Sequence, residues 1–263
     1  MYVHENNLLS KMKQSNKKFD HCRDELKHFY QEIYCKYRTE LEIVDFSSCN
    51  ILEFEKVANL IDEYFYKIDE FARLYKISSQ SKFRSSFLEE INIYLFDDLV
   101  RKNHSELDIY NKGIYAGLKI LNNFKVDIID KDVDFCIGKK VTVEINDKNK
   151  IDIIIPIVAI EVKTYLDATM FGEVQYSARQ LKNATPNVKT YVIMEDNQVG
   201  KEKIMAARND NTIDEMFVFK GKNNRKFSSE ILLDYYNEVK KSIKNITQEY
   251  KIEIPGRLLN KNL

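Results

Sequence analysis

From Met1 to Lys112 the chain contains no glycine and no proline; its 7 glycines and 3 prolines all lie beyond that point. Residues that break helices are absent there, while Leu, Glu, Lys, Phe and Tyr abound, so the front of the protein is expected to be helical. Cysteine is scarce as well: Cys22, Cys35, Cys49 and Cys136 include no Cys-x-x-Cys pair. That spacing argues against a structural zinc site and a disulfide framework and points to reduced, buried thiols. Asp20-His21-Cys22 with His28 does not alter this, because ligands two residues apart on a helix diverge. There is no apolar run of membrane-spanning length and no charged segment followed by an apolar one at Met1, which makes the cytoplasm the expected location. Net charge is missing too, with 41 basic residues against 41 acidic, so no global field draws the chain to nucleic acid and any DNA contact must be local. Finally, no Gly-x-x-x-x-Gly-Lys, Gly-x-Gly-x-x-Gly, Gly-x-Ser-x-Gly or His-Glu-x-x-His occurs, which removes nucleotide-powered, dinucleotide-dependent and common hydrolase chemistries.

What is present is core material, 44% hydrophobic and 12% aromatic, enough for one large domain or two modest ones. Phe19, Leu26, Phe29, Tyr30, Ile33 and Tyr37 recur at helical spacing and predict a helix over 17–43. A second is predicted over 52–75, and a third from an N-cap at Ser78-Ser79 to about Arg101. On a wheel of 100° per residue, Glu90 falls at the edge of the third helix's apolar face beside Phe83 and Tyr94, whereas Glu89 points away. Glu90 is therefore the candidate for an interior site, with Glu89 as its rival. Downstream, helices are expected over 170–182, 200–207 and 228–250, and strands over 125–129, 188–194 and 215–220. The helix between strands implies a parallel crossover and a mixed sheet.

The most informative stretch is Asp134 to Lys163. Two runs rich in Val and Ile flank Asn146-Asp147-Lys148-Asn149, a tetrapeptide of turn formers and charge, and predict a β-hairpin. The strand 125–129 leading into it gives an expected three-stranded meander. If the hairpin closes between Asp147 and Lys148, Asp134 faces Glu161, and Lys163 projects to the same side. The strand from Ile153 to Ile160 is apolar almost throughout, so an acid and a base at its end are not explained by a solvated face. Asp152 is nearer to Glu161 in sequence but lies about 30 Å away along an extended strand. Asp132 shares the parity of Asp134 and remains its rival.

Two carboxylates and a lysine suit phosphodiester hydrolysis, which needs charge neutralisation and an activated water. Mg²⁺ prefers hard oxygen ligands and retains waters, so Asp134, Glu161 and the backbone carbonyl of Val162 are the candidate ligand set. Lys163 is the candidate for binding the scissile phosphate or helping the attacking water. Lys220, Lys222, Arg225 and Lys226, in a basic segment, are candidates for DNA phosphates, with a solvated loop as the alternative.

The order of a helix with an inward Glu90, a strand starting at Asp134, a strand ending Glu161-Val-Lys163, then helix and strand resembles the PD-(D/E)XK nuclease core, an α/β (α+β) fold. The wording around Lys131-Asp-Val-Asp-Phe135 and Ala159-Ile-Glu-Val-Lys-Thr-Tyr-Leu-Asp-Ala-Thr-Met170 is similar to type II restriction endonucleases of the BbvCI and DdeI kind. One departure is Val133, where the family pattern has proline. The resemblance implies Mg²⁺-dependent cleavage of double-stranded DNA leaving 5′-phosphates, with Asp134, Glu161 and Lys163 as catalytic residues. It divides the chain into a helical region, 1–77, for recognition or dimerisation, and a catalytic domain, 78–263. It also implies a homodimer, or a heterodimer with a related subunit, a methyltransferase as genomic neighbour, and a CTNAG-like target. A structure-specific or repair nuclease of the same core, or a non-catalytic DNA-binding protein, are the alternatives.

Overall fold

The computed structural model describes residues 2–78, 81–145, 149–220 and 226–247. Helices α1 (Val3–Met12), α2 (Arg23–His28), α3 (Cys35–Glu42) and α4 (Ile51–Leu74) form the front. The helix expected over 17–43 is one helical run with changes of pitch: a 3₁₀ segment Lys17–Cys22 precedes α2, and a π segment Phe29–Tyr34 joins α2 to α3. Helix α5 is Ser85–Asn103. It does not start at the expected Ser78 cap; Ser78 instead turns the chain by accepting the Ser81 amide and hydroxyl, and Ser79 lies outside the described residues.

Seven strands follow: β1 (Asp108–Tyr110), β2 (Ile114–Ile120), β3 (Val126–Lys131), β4 (Phe135–Ile145), β5 (Asn149–Leu166), β6 (Lys189–Asn197) and β7 (Glu215–Val218). Helices α6 (Ala168–Ala184), α7 (Lys201–Asp210) and α8 (Ser229–Thr247) complete the described chain. Asp167 caps α6 by accepting the Thr169 and Met170 amides, the arrangement that satisfies otherwise orphaned donors.

The sheet is mixed, as expected. β4 and β5 form the antiparallel hairpin, and β6 and β7 extend it in parallel from β5. The meander is corrected, however: β3 pairs with β2 and not with β4, and β2 touches β5 in parallel at Ile114↔Ile154. The glycines at 113 and 117 hid β2 from a periodicity reading, since each permits a turn or bulge as readily as a strand.

Register within the hairpin is not uniform. Near its turn, Ile145 faces Asn149, but beyond a bulge at Ile137/Gly138 the pairs are Ile137↔Val158 and Phe135↔Ile160. Pro156, which has no amide hydrogen for a ladder, sits at the bulge opposite Gly138, the setting in which strands tolerate proline. A side chain on Gly138 would put its Cβ 2.6 Å from the Ile155 carbonyl. The pairing on the turn side is one residue out of the register that the sequence suggests, and the bulge restores it. Asp134 and Glu161 therefore follow the Phe135↔Ile160 pair as expected.

Strand alternation divides the two faces of the sheet. Phe135, Ile137, Ile160, Val162, Tyr191, Ile193 and Phe217 bury against a core that includes α4, α5, α8 and the front helices. Cys136 and Ala159 turn to the other face beside Leu181, and Val192 and Met194 pack there with Phe171, Val174 and Ala178 of α6. Cys22, Cys35, Cys49 and Cys136 are free thiols, the first and last buried and the other two half-buried.

Candidate active site

Beyond the last ladder pair, β5 continues as Glu161-Val162-Lys163, with Val162 buried and its neighbours partly open. The alternation sends Glu161 to the α6 side, where Ser177 Oγ of α6 donates to Glu161 Oε1 at 3.0 Å. Asp134, one residue before β4, accepts the Val162 N–H on Oδ2 at 2.7 Å. That bond replaces the next rung of the ladder and fixes the carboxylate beside β5. An extended residue directs its N–H and C=O to the same edge, so the Val162 carbonyl faces the Asp134 side too. Lys163 Nζ lies 3.1 Å from Glu161 Oε2 and 3.7 Å from Asp134 Oδ2. The three side chains retain 27% (Lys163), 24% (Asp134) and 21% (Glu161) of their exposure, open enough for a substrate but dry enough to strengthen each charge.

Electrostatically the cluster is short of positive charge. Burial and the neighbouring Glu161 push the Asp134 carboxyl up, against the pull of Lys163. Burial opposes the charge on Lys163, yet Asp134 and Glu161 outweigh it and hold the ammonium above its ordinary range. A third carboxyl, Glu89 of α5, lies within the electrostatic reach of this cluster. Burial and the Asp134 charge push it up to about 7, although Lys82 and Lys163 oppose the shift.

Glu90 is not brought to the cluster. It is fully buried on the side of α5 that meets the front helices, where Oε1 accepts the Tyr34 hydroxyl at 2.9 Å and the Tyr94 hydroxyl at 2.8 Å. Oε2 accepts the His4 and Glu5 amides of α1 at 2.7 and 3.1 Å. The wheel correctly put Glu90 beside Tyr94 in an apolar face. But α5 is buried on nearly every side, between the front helices and the sheet, so one apolar face does not identify the side that meets the site. Of the two glutamates, it is Glu89 whose carboxyl feels the charges of Asp134, Glu161 and Lys163.

The other candidates separate clearly. Asp132 accepts the Gly113 amide at 3.1 Å in an exposed turn. Asp152 pairs with Thr142 at 2.7 Å and Lys140 at 2.7 Å, far down the hairpin. Lys220 is not a loop cation: its ammonium lies 2.7 Å from buried Glu195, which also holds Arg84 at 2.6 Å. Lys226 is exposed, and Lys222 and Arg225 lie outside the described residues. Two contributors were missed by sequence reasoning. Ser177 follows the inward face of α6 beside Ala178 and was readable from that helix's period. Lys82, exposed and at φ +54°, acts on both Asp134 and Glu89, and no sequence pattern marks it.

Among the described residues no three His, Cys, Asp or Glu form a ready-made metal cage. Two carboxylates do converge on one ammonium, with a third whose ionisation they disfavour. Hard oxygen donors with a deficit of positive charge fit a magnesium-type ion, which needs only one or two protein carboxylates and keeps its waters.

A mixed sheet flanked by helices, with acid, acid and lysine at the ends of two paired strands, agrees with the class that the family match gives, a nuclease of the restriction-endonuclease type. Residues 80–254 match the family model of the Bpu10I restriction endonuclease; the chain belongs to this family and is a type II restriction endonuclease, a site-specific deoxyribonuclease. Its fold is similar to a chain of the native BbvCI A2B2 tetramer, with a TM-score of 0.72 at 18% identity over 95% of this chain and 99% of that one. No curated protein sequence matches it. No helix among the described residues is long and apolar enough to cross a membrane.

Proposed function

We propose that the protein hydrolyses both strands of a specific duplex DNA sequence with Mg²⁺, leaving 5′-phosphates. The observation that carries this reading is the Lys163 ammonium set between Glu161 and Asp134 at the end of β5. Asp134, Glu161 and the Val162 carbonyl would hold the ion. When bound, the ion neutralises phosphate charge and lowers the pKa of a water. Lys163, kept charged by its two carboxylates, binds a non-bridging phosphate oxygen and orients the attacking water. Ser177 positions Glu161, and the Val162 amide positions Asp134. Glu89, with a carboxyl near neutrality, holds or accepts a proton of that water.

One such site cuts one strand, so double-strand cleavage calls for two chains: a homodimer for a symmetric target or a heterodimer with a related subunit for an asymmetric one. The A2B2 assembly of the BbvCI structure supports a multi-subunit enzyme. The protein works in the cytoplasm beside a cognate methyltransferase encoded nearby, on a CTNAG-like target. Residues 1–77 serve recognition or dimerisation, and 78–263 carry catalysis.

Digestion of plasmid DNA with protein and Mg²⁺ tests this directly. Discrete fragments with ligatable 5′-phosphates are expected; a smear, or cutting that persists in Glu161→Ala, would defeat it.

A further inference from the structure

The hairpin formed by β2 and β3 continues past the sheet's paired edge, with the stem of β2 lying against α6. Only Ile114 of β2 is paired to β5, at Ile154, and from Tyr115 onward β2 and β3 bond to each other. Together they make an arm two strands wide and about 20 Å long. Because β2 runs parallel to β5, the arm projects toward the same end of the sheet that carries Glu161 and Lys163.

The arm's surface is unusual for a solvated hairpin. Leu118 faces Ile128 and Ile120 faces Val126, so four aliphatic side chains share one side. Leu118 is 57% exposed, Ile120 73%, and Phe124 at the tip 91%. Phe124 also holds φ +62°, a left-handed conformation that costs a bulky residue energy, and at that exposure the ring gains little packing in return. The turn between the strands, residues 120 to 126, carries Lys125, which is exposed, and no acid; one rung below it Lys119 faces Asp127.

We propose that this arm enters the major groove of the duplex beside the cleavage site. There Phe124 and the aliphatic side would contact base edges, and Lys125 a flanking phosphate. The major groove admits a two-stranded ribbon, apolar side chains read the thymine methyl, and lysines contribute sequence-independent attraction. A dimer interface is the competing use of such an apolar surface, but the arm's direction toward the catalytic end of a DNA-cleaving chain, with Lys125 at its tip, favours DNA. The inference rests on the DNA-cleavage reading above and adds a recognition element to it.

The experiment uses the full chain and the plasmid that the wild type cuts. Phe124→Gly removes the ring and relieves the backbone, so it should unfold no earlier in urea yet bind plasmid at least about tenfold more weakly. Lys125→Glu should weaken binding as well and make it less dependent on salt, by about one unit of log–log slope. With the photoreactive p-benzoylphenylalanine replacing Phe124, irradiation should join the chain to DNA. A chain-to-chain adduct would assign the arm to a second copy. Wild-type binding by Phe124→Gly would also overturn the proposal while leaving the nuclease reading intact; a wild type that neither binds nor cuts plasmid would overturn both.

Discussion

Glu89 and Glu90 are neighbours on one helix, and they have opposite surroundings. Glu90 is saturated: two hydroxyls and two helix amides engage its oxygens, and no space remains for a ligand. Glu89 meets two more carboxyls with Lys82 and Lys163 as the opposing charges, and burial pushes it up to about 7. The lesson is that burial alone does not mark an active carboxylate. A satisfied buried acid is a structural clasp, here fastening α1 to α5, whereas an unsatisfied acid among like charges invites a cation.

This contrast can be broken most forcefully at the cluster. Glu161→Ala and Lys163→Ala should each lower plasmid cleavage by about a hundredfold or more, the scale of losing a catalytic group, with DNA binding retained; near wild-type rates in either variant would remove the site from this end of β5. Next comes the clasp. Glu90→Ala leaves Tyr34, Tyr94 and two amides without their acceptor, and should cost about 2–3 kcal/mol in urea denaturation, while its folded fraction cuts normally. A variant as stable as wild type would mean that the four bonds contribute nothing net. Glu89→Ala should do the reverse, lowering cleavage about tenfold while changing stability by about 0.5 kcal/mol or less.

A subtler test concerns the other group on α1. His4 is fully buried between Ser86 and Tyr64, and burial depresses its pKa to about 3, so the folded protein holds it neutral. The unfolded chain takes up a proton below about 6.5 and the folded one does not until about 3. His4 therefore lowers stability as pH falls across that window, by about 1.4 kcal/mol per pH unit. Comparing wild type with His4→Gln in urea between pH 7 and 5 isolates this contribution from the opposite one of Glu90, whose carboxyl burial pushes up. Equal slopes for the two proteins would refute it. The smallest effect is expected at Asp132→Ala, whose one described bond is to the Gly113 amide: cleavage should change by about twofold or less, far less than for Asp134→Ala. Comparable losses at the two positions would restore Asp132 as a rival.

Much of the fold was legible in the sequence because strong local signals coincide with tertiary structure. Apolar β5, turn-rich 146–149 and the helix stop at Pro186 each say the same thing at both levels, and so the hairpin, α6 and β6 were found. The grouping of Asp134, Glu161 and Lys163 followed from strand parity, which depends on counting and not on packing. What was hidden depends on contacts distant in sequence. The wheel has no means of knowing that α5 has two buried sides, so it chose Glu90. The position of β2 between β5 and β3 and the pairing of Lys220 with Glu195 are decided by crossovers, and Gly113 and Gly117 mask the strand that would have revealed the first.

The bulge at Gly138 and Pro156 also divides the hairpin into two halves with independent phase. Residues on the catalytic side take their alignment from the bulge, and those on the far side from the turn. Between the Ile154 pair with β2 and the turn, the described residues of β4 and β5 pair only with each other, so a residue added or lost there shifts Asp152 and Thr142 against each other while Asp134 and Glu161 keep their places. That half offers a point where the chain can vary in length, or accept a fused segment, without disturbing the chemistry at the other end.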